Sequence, residues 1–239
     1  MFSGTLYPYQ EESVDKMIDR GQVLLGLVMG AGKTVTTIAA IEKLIESGEV
    51  DRCLVVVPAS LKYQWMREVK RFTDSRVTII DGPPKTREKQ WKSSISSQYI
   101  IVNPESLIKD VDLFKKIKCE AIVVDEATIL KSRSSKRSRL LKRISKPMVY
   151  RYALTGQPIE NRPEELYSIM EFVDPTVLGP FDTFDRTFIV RDHFGKPIRY
   201  RNLKDLHESL TDCMIRKTRE DIADQLPEII HQLIPVPFD

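Results

Sequence analysis

Residues 23–34 read VLLGLVMGAGKT, an apolar run that stops at glycines and is followed at once by Lys33 and Thr34. The residues that follow, TVTTIAAIEKLIESG, carry helical spacing that closes at Gly48. A strand feeding a glycine loop and then a helix N-terminus has the geometry of a phosphate cradle. Unpaired N–H groups and the positive end of the helix dipole aim at one spot. Gly30 and Gly32 let the backbone approach an anion, Met29 and Ala31 complete the loop, and Lys33 adds a point charge. Thr34 offers a hydroxyl to Mg2+. The strict pattern G-x-x-x-x-G-K-[ST] fails at its first glycine, where Leu27 stands, and Gly26 lies one residue too early. An ordinary strand-to-helix turn is the plainer alternative, and the rest of the chain decides between them.

Outward from this unit the pattern repeats. LYPYQ precedes an amphipathic stretch in which Pro8 suits a helix start and Val14, Met17 and Ile18 share a face. RCLVVVP, RVTIID, QYIIVN, CEAIVVDE and MVYRYALTG read as strands, several of them continuous apolar runs suited to burial on both faces of a parallel sheet. Helical patterns lie between them, with TREKQWKSSI as a helix or basic loop, residues 131–144 as a basic helix and PEELYSIMEFV as the last. The alternation predicts a doubly wound α/β sheet. GAGKT, VPAS, VNPES, VDEAT and LTGQP each follow a strand, at the end where ligands of such sheets bind. Beyond Asp174 the pattern changes to aromatics, prolines and charge, with a hairpin expected around residues 195–197, a helical return over LKDLHESLTDCMIRKTREDIADQL and a final extended run. The expected division is 1–174 for the α/β unit that carries the phosphate loop, 175–226 for a helical and hairpin protrusion, and 227–239 for the start of a linker.

Composition bounds the class. The 239 residues are 41% hydrophobic and 30% charged, enough to bury a core, and a net charge of +3 permits a nucleic-acid partner without demanding one. Cys53, Cys119 and Cys213 form no C-x-x-C pair, and His193, His207 and His231 show no ligand spacing, so buried thiols and no structural metal are expected. The N-terminal MFSGTLYPYQ lacks an apolar export segment and no run is long enough for a membrane span. An intracellular protein, not secreted and with no membrane partner, is expected, cytoplasmic or nuclear according to its host.

Two further stretches carry chemistry. AIVVDE at 121–126 is an apolar strand delivering two carboxylates. Beside a phosphate loop, Asp125 would hold Mg2+ through its water shell and Glu126 would orient and deprotonate the attacking water. Two acids at a strand end are otherwise an ordinary solvated turn, and the upstream GAGKT favours the functional reading. Residues 131–146, KSRSSKRSRLLKRISK, hold eight basic residues and no acid. Lys131, Lys136, Arg137 and Arg139 there suit a polyphosphate backbone, while a solvated helix face is the alternative. Tyr7, Tyr9, Trp65 and Trp91 read as packing.

LYPYQ, VMGAGKT, VVVPASLKYQW, VVDEAT and LTGQPIENRPEELYSIMEFVDP together resemble the first RecA-like lobe of superfamily 2 helicases, and among them the Swi/Snf-type DNA translocases. The tail MIRKTREDIADQLPEII is similar to the segment that precedes the crossing to a second lobe. The resemblance implies a RecA-like three-layer sandwich with a mostly parallel sheet and a small helical and hairpin appendage. It also implies ATP and Mg2+ as cofactors and double- or single-stranded DNA gripped through its backbone. Under it, Gln10 recognises adenine, Gly30, Gly32, Lys33 and Thr34 hold phosphates and metal, and Asp125 and Glu126 serve metal and water. Thr155 and Gly156 couple ATP state to DNA grip, and the loops at 58–61 and 103–106, with Ser60, Lys62 and Asn103, touch the nucleic acid.

Departures from the family's pattern are informative. Leu27 and Val28 stand where an Asp-Glu pair is usual, Tyr7 where arginine is frequent, Thr128 for a histidine and Gln157 for a threonine. They mark a divergent member, of the kind a virus or mobile element carries. Motors of this family need a second RecA-like lobe, in cis or trans, whose arginines stabilise the transferring phosphoryl group by about 10³–10⁵ in rate. Because the sequence has no second such lobe, weak or no activity is expected of the isolated chain, read as one lobe of a truncated or split motor. A non-catalytic ATP- and DNA-binding module, an RNA helicase lobe and a restriction-type motor subunit are the competing readings.

Overall fold

The apolar runs become strands whose alternate residues feed two cores, one on each face of a sheet. The computed structural model describes residues 1–156 and 162–225. In chain order it contains α1 (Pro8–Arg20), β1 (Gln22–Leu27), α2 (Lys33–Glu46), β2 (Cys53–Val56), α3 (Lys62–Phe72), β3 (Val77–Ile79), α4 (Pro84–Ser93) and β4 (Tyr99–Val102). Then follow α5 (Pro104–Lys109), α6 (Val111–Phe114), β5 (Ala121–Val124), α7 (Lys136–Ser145), β6 (Tyr150–Thr155) and α8 (Pro163–Val173). The remainder is α9 (Phe181–Phe188), β7 (Ile189–Arg191), β8 (Pro197–Tyr200), α10 (Leu203–Ser209) and β9 (Met214–Lys217). Gln157 and the rest of 157–161, and the linker expected at 227–239, lie outside the described residues.

Seven strands form the main sheet in the order β3-β4-β2-β5-β6-β1-β9, and every described pairing in it is parallel. Side chains on successive residues of a strand point to opposite faces. Leu24, Leu54, Ile100, Ile122 and Ala153 accordingly join the core that includes Trp91, Leu107, Leu141 and Phe172. Val23, Leu25, Val55, Ile101, Val123 and Tyr152 join the other, with Val14, Met17, Ile38 and Trp65. Helices α1, α2 and α3 thus cover one face and α4, α7 and α8 the other, the three-layer arrangement of a RecA-like lobe. In a parallel sheet all C-terminal strand ends share one edge. This brings together motifs that are distant in sequence.

Two features differ from the sequence expectation. The stretch expected to be helical over 203–226 divides into α10 and the strand β9, which pairs with β1 beside the phosphate loop. The sheet therefore continues past Asp174. The intervening residues form α9, the antiparallel β7–β8 hairpin and α10, with Gly195 at φ 80° where the hairpin turns. The basic helix is also shorter, starting at Lys136 with Ser135 as its cap, whose side chain accepts from the Ser138 N–H.

Candidate nucleotide site and nucleic-acid face

The phosphate loop takes its shape from two residues that need a positive φ, Gly30 at 84° and Gly32 at 75°, a region that glycine enters without steric cost. Nothing lies within 4 Å of where a side chain at Gly30 would begin, and Met29 beside it is 80% exposed. Gly32 is the N-cap of α2, with Lys33 and Thr34 in the first turn. Thr36 and Thr37 donate their hydroxyls back to the Gly32 and Lys33 carbonyls, at 3.0 and 2.8 Å. The loop is braced from α1: the Tyr9 hydroxyl donates to the Ala31 carbonyl at 3.0 Å and Gln10 Nε2 to the same oxygen at 3.2 Å. Gln10 Oε1 accepts from the Tyr7 N–H at 2.9 Å. Both ends of the Gln10 amide are thus engaged within the chain, and a methyl on Gly32 would meet its nitrogen at 2.4 Å. In this conformation Gln10 holds the loop rather than presenting its amide to a base.

Lys33 reaches across the strand ends. Its ammonium donates to the Leu27 carbonyl at 3.2 Å, and a methyl on Gly156 would lie 3.0 Å from the same nitrogen. Burial lowers its pKa, against the opposing pull of the Asp125 and Glu126 carboxylates, so both acids lie within electrostatic reach. Thr155, at the end of β6, is buried. The structure therefore brings the loop, the acid pair and the Thr155–Gly156 step to one place.

Asp125 follows the end of β5 and is buried; its Oδ2 accepts from Trp65 Nε1 at 2.7 Å and its Oδ1 from the Glu126 N–H at 2.9 Å. Glu126 adopts φ 56°, ψ 72°, a left-handed conformation costly for a side chain with a Cβ and concentrated at functional sites. Trp65 and Tyr9, expected as packing, are buried as expected, yet each turns its polar atom on the site. The available signal was chemical: a buried indole N–H or phenol O–H needs a partner. Trp91 is also buried, donating to Asp110 at 3.1 Å, where Arg87 makes a paired contact at 2.6 and 2.9 Å.

The nucleic-acid expectations fare unevenly. Ser60 is exposed on the 3-10 turn Ala59–Leu61. Lys62 is a correction: its side chain is 3% exposed, and the ammonium lies 2.7 Å from Asp81 Oδ1 and 3.3 Å from the Ile80 carbonyl. A charge so committed cannot grip a phosphate in this conformation. Asn103 is buried nearby, with its Oδ1 3.5 Å from Lys62 Nζ and its Nδ2 donating to Glu105 at 2.9 Å. Within the basic segment, Lys131 pairs with Glu165 at 3.1 Å and Arg137 with Glu105 at 2.6 Å. Arg133 makes two 3.0 Å bonds to Glu171 and lies 4.0 Å over the Phe181 ring, and Lys142 bonds Glu171 at 2.8 Å. Lys136 and Arg139 are exposed and, among the described residues, have no carboxylate partner. Cys53, Cys119 and Cys213 are buried free thiols. No helix among the described residues is long and apolar enough to cross a membrane.

A model of the SNF2-related domain matches residues 9–239. The chain is 30% identical over 257 residues to the chromatin-remodeling ATPase INO80 of Drosophila melanogaster, covering 100% of this chain and 16% of that protein. It is also 30% identical to the SWI/SNF chromatin-remodeling complex subunit snf22 of Schizosaccharomyces pombe, covering 98% and 15%, and to the DNA annealing helicase and endonuclease ZRANB3 of Bos taurus, covering 96% and 22%. Among solved structures, the Sulfolobus solfataricus SWI2/SNF2 ATPase core in complex with dsDNA superposes with a TM-score of 0.78 at 27% identity, over 93% of this chain and 46% of that one. The chain thus spans 15–22% of the length of these curated relatives. With the family match running from residue 9 to residue 239, the chain belongs to the SNF2-related domain family.

Proposed function

We propose that this chain is the N-terminal lobe of an ATP-dependent DNA translocase or helicase, binding Mg-ATP at the C-terminal edge of its sheet and DNA backbone beyond it. The observation that carries this reading is the meeting of Lys33 with Gly156 on one side and the electrostatic reach of Asp125 and Glu126 on the other. The residues fit a nucleoside triphosphate. The Gly30 and Gly32 cradle has no room at Gly32 for a Cβ and open space at Gly30, and it ends in the N-terminus of a long helix. They fit Mg2+ as well, because the Asp125 carboxylate has no ion-pair partner among the described residues, and Mg2+ is commonly held by one or two carboxylates plus phosphates.

In this reading Lys33 and the first-turn N–H groups of α2 hold the phosphates, and Thr34 and Asp125 hold the metal. Bound Mg2+ supplies neutralisation of phosphate charge. Glu126 orients the attacking water and accepts its proton. Gly156, packed against the Lys33 ammonium, gives the β6 end a direct sense of what that lysine binds. The names and the dsDNA complex of the relatives support DNA as the partner, and Lys136 and Arg139 are among the exposed cations of the basic segment with no carboxylate partner among the described residues. A second lobe, in cis or trans, would supply the arginine that completes turnover. An intracellular site of action follows from that substrate pair.

The test is steady-state ATP turnover of the chain with and without double-stranded DNA, over a range of protein concentration, beside direct nucleotide binding. Retained Mg-nucleotide binding with low turnover fits a lobe awaiting its partner. DNA-stimulated turnover that rises steeply with concentration fits a lobe completed in trans. Absence of nucleotide binding would overturn the reading.

A further inference from the structure

We propose that Trp65 is a positioning residue for Asp125, its indole N–H fixing the carboxylate in the orientation that receives Mg2+. The inference rests on the nucleotide-site reading above and adds to it a residue on α3, a helix that carries no part of the phosphate loop or the acid pair. Trp65 is 1% exposed, so no water competes for its N–H, and the 2.7 Å bond to Asp125 Oδ2 is its polar contact. The other carboxylate oxygen is held by the Glu126 N–H. With both oxygens anchored, the plane of the carboxylate is fixed while lone pairs remain for a further ligand.

The chain contains its own control. It has two tryptophans, and each donates its indole N–H to a buried aspartate. At Asp110 the carboxylate is also gripped by Arg87 through two bonds, so its charge is matched and the arrangement is closed. At Asp125 the donors are an indole and a backbone amide, both neutral, and among the described residues no lysine or arginine lies within ion-pair distance. Burying an anion with neutral donors alone is costly unless a cation arrives. The difference between the two sites is the missing arginine: Asp125 feels the Lys33 ammonium only from beyond ion-pair distance, so its carboxylate is oriented without being closed off. Partners that orient a metal's ligands are worth about 10–100-fold in metal affinity when removed.

The experiment is a titration of Mg2+ against binding of a fluorescent ATP analogue, for the wild-type chain and for Trp65→Phe, which keeps the aromatic packing and removes the N–H. The expected result is that Trp65→Phe needs roughly tenfold more Mg2+ to reach the same nucleotide affinity, while affinity in EDTA is unchanged. An unchanged Mg2+ midpoint overturns the proposal. So does a parallel fall with and without Mg2+, which marks a packing role. A wild-type chain that binds nucleotide with no dependence on Mg2+ removes the metal reading of Asp125 and the proposal with it. Wild-type protein that binds no nucleotide removes the site reading, a failure visible before any variant is compared. Should Trp65→Phe fail to fold, the two indole N–H resonances of the wild-type chain answer the same question. Adding Mg2+ to the nucleotide complex should move the Trp65 resonance and leave that of Trp91 in place, and a stationary Trp65 signal overturns the proposal.

Discussion

The phosphate loop and the basic segment at 131–146 are the two stretches whose composition speaks loudest, and the structure treats them in opposite ways. In the loop, function rests on backbone: positive φ at Gly30 and Gly32 and the start of α2 create the cradle within a handful of neighbouring residues. In the basic segment, function would rest on side-chain charge, and among the described residues four of its eight cations are answered by acids from other elements. Glu105 takes Arg137, Glu165 takes Lys131, and Glu171 takes both Arg133 and Lys142. A local backbone device keeps its meaning on folding. A run of like charge does not, because what it can bind depends on which carboxylates fold against it.

Four experiments break or sharpen this contrast. The largest effect belongs to Glu126→Gln, which should lower any ATP turnover by about 10²–10⁴-fold while leaving Mg-nucleotide binding in place. Unchanged turnover would remove the acid pair from the chemistry. Next, Lys33→Ala should weaken nucleotide binding by about 10–100-fold in a fluorescence titration. The thermal midpoint should hold, because burial works against the Lys33 charge in the folded state.

Glu171→Gln should cost about 1–3 kcal/mol of unfolding free energy, because two cations lose one carboxylate. Burial alone would raise the Glu171 carboxyl, but hydrogen bonds from Arg133 and Lys142 outweigh it and hold it below its ordinary 4.5. A depressed acid stabilises above its unfolded pKa and loses that contribution as pH falls through its folded pKa. The gap between wild type and Glu171→Gln in denaturant melts should therefore be full near pH 6 and shrink as pH falls below 4.5, through the lowered folded-state pKa. A gap independent of pH would show that the loss is packing.

The smallest effect is the most discriminating. Replacing Lys136 and Arg139 by alanine should weaken DNA binding roughly tenfold and reduce the slope of log affinity against log salt by about two. Replacing Lys131 and Arg137 by alanine should change that slope by less than about 0.5, since their charge is already matched. Equal slopes for the two pairs would collapse the distinction drawn between paired and free cations.

What could be read from sequence follows the same division. The strands β2, β4 and β5 are short runs of consecutive buried apolar residues, and their alternation with helices was enough to give the layered parallel sheet. The GKT loop and the acids after β5 were visible because each is contiguous. Strand β9 escaped because an edge strand is buried on one side only, and Met214–Lys217 lies in a polar stretch whose spacing also suits a helix. Lys62 looked available because Asp81, its partner, comes from beyond α3 and β3. The indole of Trp65 was legible as buried, but not its destination, since Asp125 is 60 positions away. Pairings across such distances are set by the sheet order, which local pattern does not encode.

The pairing of β9 with β1 has a consequence for how the chain is made. β1, the strand that runs into the phosphate loop, has β6 on one side and β9 on the other, and Met214 stands opposite Leu24. On the ribosome, residues near Met214 follow Leu24 by on the order of ten seconds or more at ordinary elongation rates. Through that interval β1 has an open edge, and the strand that runs into the phosphate loop is among the last parts of the sheet to close. A nascent chain halted at residue 200 is therefore expected to protect the β2, β4 and β5 amides from exchange more fully than the β1 amides on the edge that β9 will cover, and equal protection of that edge would contradict this order.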